Sequence, residues 1–257
     1  MDKLQQSQLL DGMVVDRSWL KGKGISVPLV DYYLRTGHLE RVAYGAYRKP
    51  GDRLKWEHLV YSLQMLGYNV HVGGQSALEL LGLAHYLPFG PKQKIHLFCD
   101  IRLPRWFFKT DVPVEFIEHR TGLFGNAGQE RGLTTVLFGS WDWKINVASR
   151  EMALMEMMLD LPRRTSFHMV DVIMESAATL RPEVVGELLR ECKNIKVKRL
   201  FLWFAEKYGH QWFELVKLDK VDLGKGKRVV QKAGKLDSKY LITVPKDDHD
   251  KQEQPVF

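Results

Sequence analysis

Residues 26–50 read SVPLVDYYLRTGHLERVAYGAYRKP. Ser26 is a residue type favoured in front of a helix, and Pro28 falls in the first turn, where its missing N–H breaks no bond. Val27, Val30 and Leu34 recur at helical spacing, which predicts one apolar stripe turned to a core. Gly37 ends this helix. Residues 39–50 then alternate and are rich in β-branched and aromatic side chains, with Gly45 at the centre. That pattern predicts two short strands joined by a tight tip.

Working towards the N-terminus, residues 3–10 suit a short helix and Met13, Val14 and Val15 a small strand. Asp16 is a good cap for a second helix, which carries Trp19 and Leu20 on its buried side and stops at Gly22 and Gly24. Helix, short strand, helix, turn, helix, hairpin is the order of a winged helix-turn-helix, and it predicts a DNA-binding domain over residues 1–53. In that motif the third helix enters the major groove and the hairpin lies along the backbone or minor groove. With the stripe turned inward, Pro28, Tyr32 and Arg35 face solvent, and Ser26 sits where helix N–H groups can hold a phosphate. The hairpin adds Arg41, Tyr44, Tyr47, Arg48 and Lys49, and Lys21 and Lys23 extend the positive strip. These eleven residues are the expected DNA contacts. Asp31 and Glu40 oppose phosphate unless they point away, and Val42 and Tyr44 also suit a core. Winged helices serve as protein-docking modules too, so that alternative stays open.

Downstream of Pro50 the composition changes. An amphipathic helix is predicted at 55–66 and a shorter one at 76–81. Strands are predicted at 94–99, 113–118, 133–138 and 143–147. From Ser149 onward the chain reads as helical, with Pro162 stopping the first helix and others at 166–178, 182–192 and 195–209. Residues 54–246 are thus expected to form a larger mixed α/β domain: strands mainly over 94–147, helices over 149–209 and a basic hairpin over 215–245. Residues 247–257 are read as a disordered tail. The fold class is α+β.

Lys and Arg total 38 against 31 Asp and Glu, a net charge of +7. The excess permits a polyanion partner without requiring one. Cys99 and Cys192 are too few and too far apart for a disulfide framework or a cysteine zinc site, and both read as buried thiols. No apolar run approaches the ~20 residues of a membrane span, and the first residues lack a secretory pattern, so a cytoplasmic protein is expected. Neither Gly22-Lys23-Gly24 nor Gly224-Lys225-Gly226-Lys227 fits a phosphate loop. Gly139-Ser140 resembles the opening of a nucleotidyltransferase site, but only Asp142 follows where clustered carboxylates are needed. The nine histidines show no metal spacing, and GxSxG is absent. No enzyme, metal or cofactor is expected.

Eight cations crowd the end of the chain: Lys217, Lys220, Lys225, Lys227, Arg228, Lys232, Lys235 and Lys239. They suit a second nucleic-acid surface, a dock for an acidic partner, or a solvated hairpin guarding its edge. Phe201, Trp203 and Phe204 read as core rather than as a platform for bases.

Longer stretches carry a resemblance. LRTGHLERVAYGAYRKP (34–50), HVGGQSALELLGLAHYLP (71–88), CKNIKVKRLFLWFAEKYGHQWF (192–213), VDLGKGKRVV (221–230) and KYLITVP (239–245) follow one another across nearly the whole chain. The chain resembles the AbiEi-type antitoxins of type IV toxin–antitoxin systems, in the AbiEi_3-like subgroup. The resemblance implies an N-terminal winged helix that binds repeated sites in its own promoter and represses its operon. It also implies a C-terminal domain that counteracts a nucleotidyltransferase-like toxin without a stable complex. It assigns no role to any residue of that second domain.

Overall fold

The structure, a computed structural model, describes residues 3–83, 92–120, 122–138 and 143–246. The expected tail at 247–257, the Gly139-Ser140 pair, Asp142 and part of the 71–88 stretch lie outside the described residues.

The chain opens with α1 (Lys3–Gln6), β1 (Val15–Asp16), α2 (Arg17–Gly22), α3 (Val27–Arg35), β2 (Glu40–Ala43) and β3 (Ala46–Arg48). Asp16 caps α2 by accepting from the Trp19 N–H at 2.8 Å. Ser26 stands at the cap position of α3, but its side chain makes no capping bond. Gly45 turns the tip between β2 and β3 with φ +79°, a conformation most side chains avoid. The strands order as β1-β3-β2, so β3 lies in the middle of a small antiparallel sheet.

Next come α4 (Trp56–Met65), β4 (Val70–Val72), α5 (Gly74–Leu80), β5 (Gln93–Cys99), a 3₁₀ turn at Phe107–Lys109, β6 (Val114–Arg120), α6 (Asn126–Gly132), β7 (Leu133–Phe138) and β8 (Trp143–Ala148). Five of these strands form a mixed sheet in the order β6-β5-β4-β8-β7. β5 and β6 run parallel in register from Gln93↔Val114 to Cys99↔Arg120, and β4 pairs antiparallel with β5. The remainder is α7 (Arg150–Leu159), α8 (Phe167–Ser176), α9 (Pro182–Glu191), α10 (Ile195–Tyr208), α11 (Gln211–Glu214), β9 (Lys235–Asp237) and β10 (Ile242–Val244). The molecule is therefore a mixed α and β protein with several sheets. No described helix is long and apolar enough to cross a membrane.

Two compact units divide the chain. The first draws on Met1–Val72, Leu87–Thr121 and Thr135–Val147, the second on Gly73–Tyr86, Gly122–Thr134 and Ala148–Phe257. This division differs from a boundary at residue 53, because Val14, Ala43 and Ala46 share a core with Leu59, Leu63, Val72, Leu97 and Ile145. Removing residues 1–53 would strip side chains from that core.

A second core in the first unit gathers Val15, Leu20, Ile25, Val30, Tyr33, Leu39 and Tyr47. In the second unit α7 is buried almost all round, so both its carboxylates need partners. Glu156 accepts from the Gly74 N–H at 2.9 Å. Glu151 accepts from the Arg181 backbone N–H and from its Nε and Nη2 at 2.9–3.0 Å. Burial pushes Glu151 upward, but these Arg181 bonds outweigh it and hold the carboxyl below its ordinary range.

The expected basic hairpin over 215–245 is shorter than that. β9 and β10 pair, Lys235↔Val244 to Asp237↔Ile242, and Arg228 adds a single parallel bridge to Ile242. The loop before β9 is held by this bridge and by side chains. Arg199, buried on α10, donates to the carbonyls of Leu223, Gly224, Gly226 and Leu241 at 2.7–3.3 Å.

Candidate nucleic-acid interface

The outward side of α2 and α3 is built by what the core takes. Val30 and Tyr33 are the buried residues of α3, with Leu29 and Leu34 half-buried beside them. Tyr33 fixes this choice: its ring enters the core and its hydroxyl accepts from the Leu4 N–H at 3.3 Å. The expected stripe Val27–Val30–Leu34 is therefore corrected, for Val27 is 56 % exposed. It sits in the first turn, nearly two turns before the Tyr33 anchor. Left outward on α3 are Ser26, Val27, Pro28, Asp31, Tyr32 and Arg35.

On α2 the burial of Leu20 leaves Arg17 and Lys21, one turn apart, facing out, and Lys23 follows at the cap. Lys23 Nζ lies 5.4 Å from the Trp19 ring centre. Arg17 ties this helix to the hairpin. Its Nε donates to the Tyr47 hydroxyl at 3.0 Å, and its guanidinium lies 6.0 Å from the ring of Tyr44, which is 85 % exposed at the tip. The bond to Tyr47 raises the affinity of Arg17 for its proton further, so the group is a fixed cation. Arg17 was not among the expected contacts, though a signal existed: placing Trp19 and Leu20 inward turns positions 17 and 21 outward together.

Arg17, Lys21, Ile25, Ser26, Val27 and Val30 line one open recess of about 300 Å³. Ile25 and Val30 are buried and make its apolar floor, and the two cations stand at its edge.

Of the expected contacts, Lys21, Lys23, Ser26, Pro28, Tyr32, Arg35, Arg41 and Tyr44 lie exposed on α2, α3 and the hairpin. Two do not belong to the surface. Tyr47 is fully buried, with only its hydroxyl meeting Arg17. Arg48 is buried, pairs with Glu40 and donates to the Asp52 carbonyl at 2.8 Å. Both corrections have one cause. β1 pairs along the free edge of β3, which turns an expected hairpin arm into a central strand covered on both sides. Lys49 is half-buried and pairs with Asp11 at 3.1 Å. Glu40, expected to repel phosphate, is neutralised by Arg48, whereas Asp31 stays exposed.

The second basic group does not divide in this way. Lys217, Lys220, Lys225, Lys227, Arg228, Lys232 and Lys235 are exposed along the C-terminal segment. Lys239 is exposed as well, and also pairs with Glu206 and lies over the Tyr240 ring. Phe201 and Phe204 are buried, as core residues are.

Spacing alone missed one pairing. His96 on β5 and His119 on β6 are buried, and their rings hydrogen-bond through Nδ1 and Nε2 at 3.0 Å. Parallel strands with a loop between them bring together residues 23 apart, which no local pattern shows. Both cysteines are free and buried. Burial and the neighbouring Glu118 push the Cys99 thiol up to about 12, and burial raises Cys192.

The chain is similar in fold to the RV2827C protein from Mycobacterium tuberculosis, known from a crystal structure. The TM-score is 0.53 at 15 % identity, over 90 % of this chain and 85 % of that one. No curated protein matches. Residues 1–89 match the model of the AbiEi antitoxin N-terminal domain, a transcriptional regulator. Residues 92–245 match the model described as transcriptional regulator, AbiEi antitoxin, type IV toxin–antitoxin system. With both models laid end to end along it, the chain belongs to the AbiEi family of antitoxins and transcriptional regulators of type IV toxin–antitoxin systems.

Proposed function

We propose that residues 1–53 form a winged helix-turn-helix that binds repeated duplex DNA sites in the chain's own promoter and represses the operon. The remainder counteracts a nucleotidyltransferase-like toxin. The protein works in the cytoplasm and catalyses no reaction. The observation that carries the DNA reading is Arg17. It links α2 to the hairpin through Tyr47 and Tyr44, and Lys21, Lys23, Arg35 and Arg41 are exposed on or beside α2, α3 and the hairpin. α3 enters the major groove with Ser26, Pro28, Tyr32 and Arg35 towards the bases or phosphates, while Arg41 and Tyr44 follow the backbone.

A gel shift with the region upstream of the gene tests this, against a scrambled duplex of equal length. Specific retardation is expected. Lys21→Ala and Lys23→Ala weaken binding to both duplexes alike, and Arg35→Ala narrows the gap between them. Toxin protection by the same variants separates the two roles without disturbing the core shared by residues 1–53 and α4. Absence of any shift, together with a stably co-purifying protein, would replace this reading with a protein-docking module.

A further inference from the structure

The DNA-binding reading leaves one feature of the surface unused. Val27 is 56 % exposed at the start of α3, beside a recess of about 300 Å³ floored by Ile25 and Val30. Nothing in the local fold requires a branched aliphatic there, since the core is filled by Val30 and Tyr33 instead. We infer that Val27 and the recess recognise the 5-methyl group of thymine in the operator, an inference that rests on the reading just proposed.

The argument is one of chemical matching. Donors and acceptors line the major-groove edge of each base pair, and thymine alone of the four bases adds an apolar group there. In helix-turn-helix modules the N-terminal residues of the recognition helix are the ones that meet base edges, and Val27 holds that place. The floor of the recess is made of aliphatic side chains, so it offers no hydrogen bond to cytosine or adenine amino groups. Its edge carries Arg17 and Lys21, with the Ser26 hydroxyl beside them. Cations around an apolar floor complement a methyl-bearing base flanked by phosphates better than they complement a neutral apolar ligand. The recess is thus a specificity element, and the cations around it supply affinity that is blind to sequence.

The test uses the intact protein and two duplexes of the upstream region, identical except that one carries deoxyuridine at every thymine position. Base pairing is preserved and only methyl groups are lost. The expected result is that wild-type protein binds the uracil duplex about fourfold more weakly for each methyl engaged. Val27→Ala should bind the thymine duplex more weakly and show a smaller thymine-to-uracil ratio, since Ile25 and Val30 remain. Arg35→Ala serves as the control: it loses affinity but keeps the ratio. Equal wild-type binding of both duplexes overturns the thymine assignment and leaves DNA binding standing, whereas no binding to either overturns DNA binding itself. A ratio unchanged in Val27→Ala also overturns the assignment to this residue. Equal binding that is relieved by a medium-chain fatty carboxylate overturns it too, and gives the recess to a small amphiphilic anion.

Discussion

Arg48 shows how much a single side chain decides. Read as one more cation in a basic hairpin, it is a DNA contact. In the structure it is a brace, paired with Glu40 and bonded to the Asp52 carbonyl. Arg48→Ala is therefore expected to lower stability by about 1 kcal/mol, because it removes a buried donor from the Asp52 carbonyl and from a part-exposed Glu40 carboxylate. Thermal melting checks this, and DNA affinity measured well below the melting point should change little. His58 provides a second measurement. Its Nδ1 accepts from the Lys55 N–H at 3.1 Å, with Phe138 and Trp143 edge-on to its ring. Burial first, then nearby Arg48, pushes its pKa below the ordinary 6.5. The unfolded chain takes the proton more readily, so stability is intact above about pH 6.5 and is lost as pH falls below it. His58→Asn, which keeps an acceptor, should flatten the fall in melting temperature between pH 7.5 and 5.5. An equally steep fall in the variant would show that other groups carry the acid sensitivity.

Elements that announce themselves through local chemistry were legible; those made by tertiary contact were not. Asp16 and Ser149 sit as caps where their type and position indicated, accepting from Trp19 and Met152. The apolar run of α7 was equally plain. β4 was missed because three residues carry no period. α6 was missed because NAGQERG has poor helix propensity. Its glycines are there for closeness: a Cβ on Gly128 would lie 2.7 Å from Glu191 Cβ, and one on Gly132 2.6 Å from Met152 Sδ. The face of β3 was misjudged because its second neighbour, β1, lies far upstream in the chain, with Val15 opposite Tyr47 and Asp16 opposite Ala46. The segment 222–228 is the opposite case, a loop with a single β-bridge at Arg228 and otherwise held by the Arg199 side chain. Arg199→Ala removes the donor from four carbonyls and should make this loop the first site cut in limited proteolysis. The wild-type loop should resist under the same conditions. Unchanged resistance would place its order elsewhere.

At the scale of the whole molecule the net charge of +7 is a poor guide to function, since the cations are spread over two separate regions of the chain. Five exposed cations on the N-terminal face, Arg17, Lys21, Lys23, Arg35 and Arg41, set a measurable limit. If each neutralises one phosphate, log affinity should fall with log salt with a slope of about −4 to −5 per bound chain. A markedly steeper slope in a titration would require further cations elsewhere in the chain, and a slope near zero would remove phosphate contact from the account.

The interleaving of the two units along the sequence sets an order of manufacture. A ribosome must pass residue 147 before the first unit has all its strands, having already released Gly73–Leu83, which wait for partners in the second. That second unit then stays open at one side until Ile242, fully buried and among the last described residues, leaves the exit tunnel. Translation halted anywhere between those two points yields a nascent chain with a finished amino-terminal half and a bare apolar seam, the kind of product that chaperones and proteases seize.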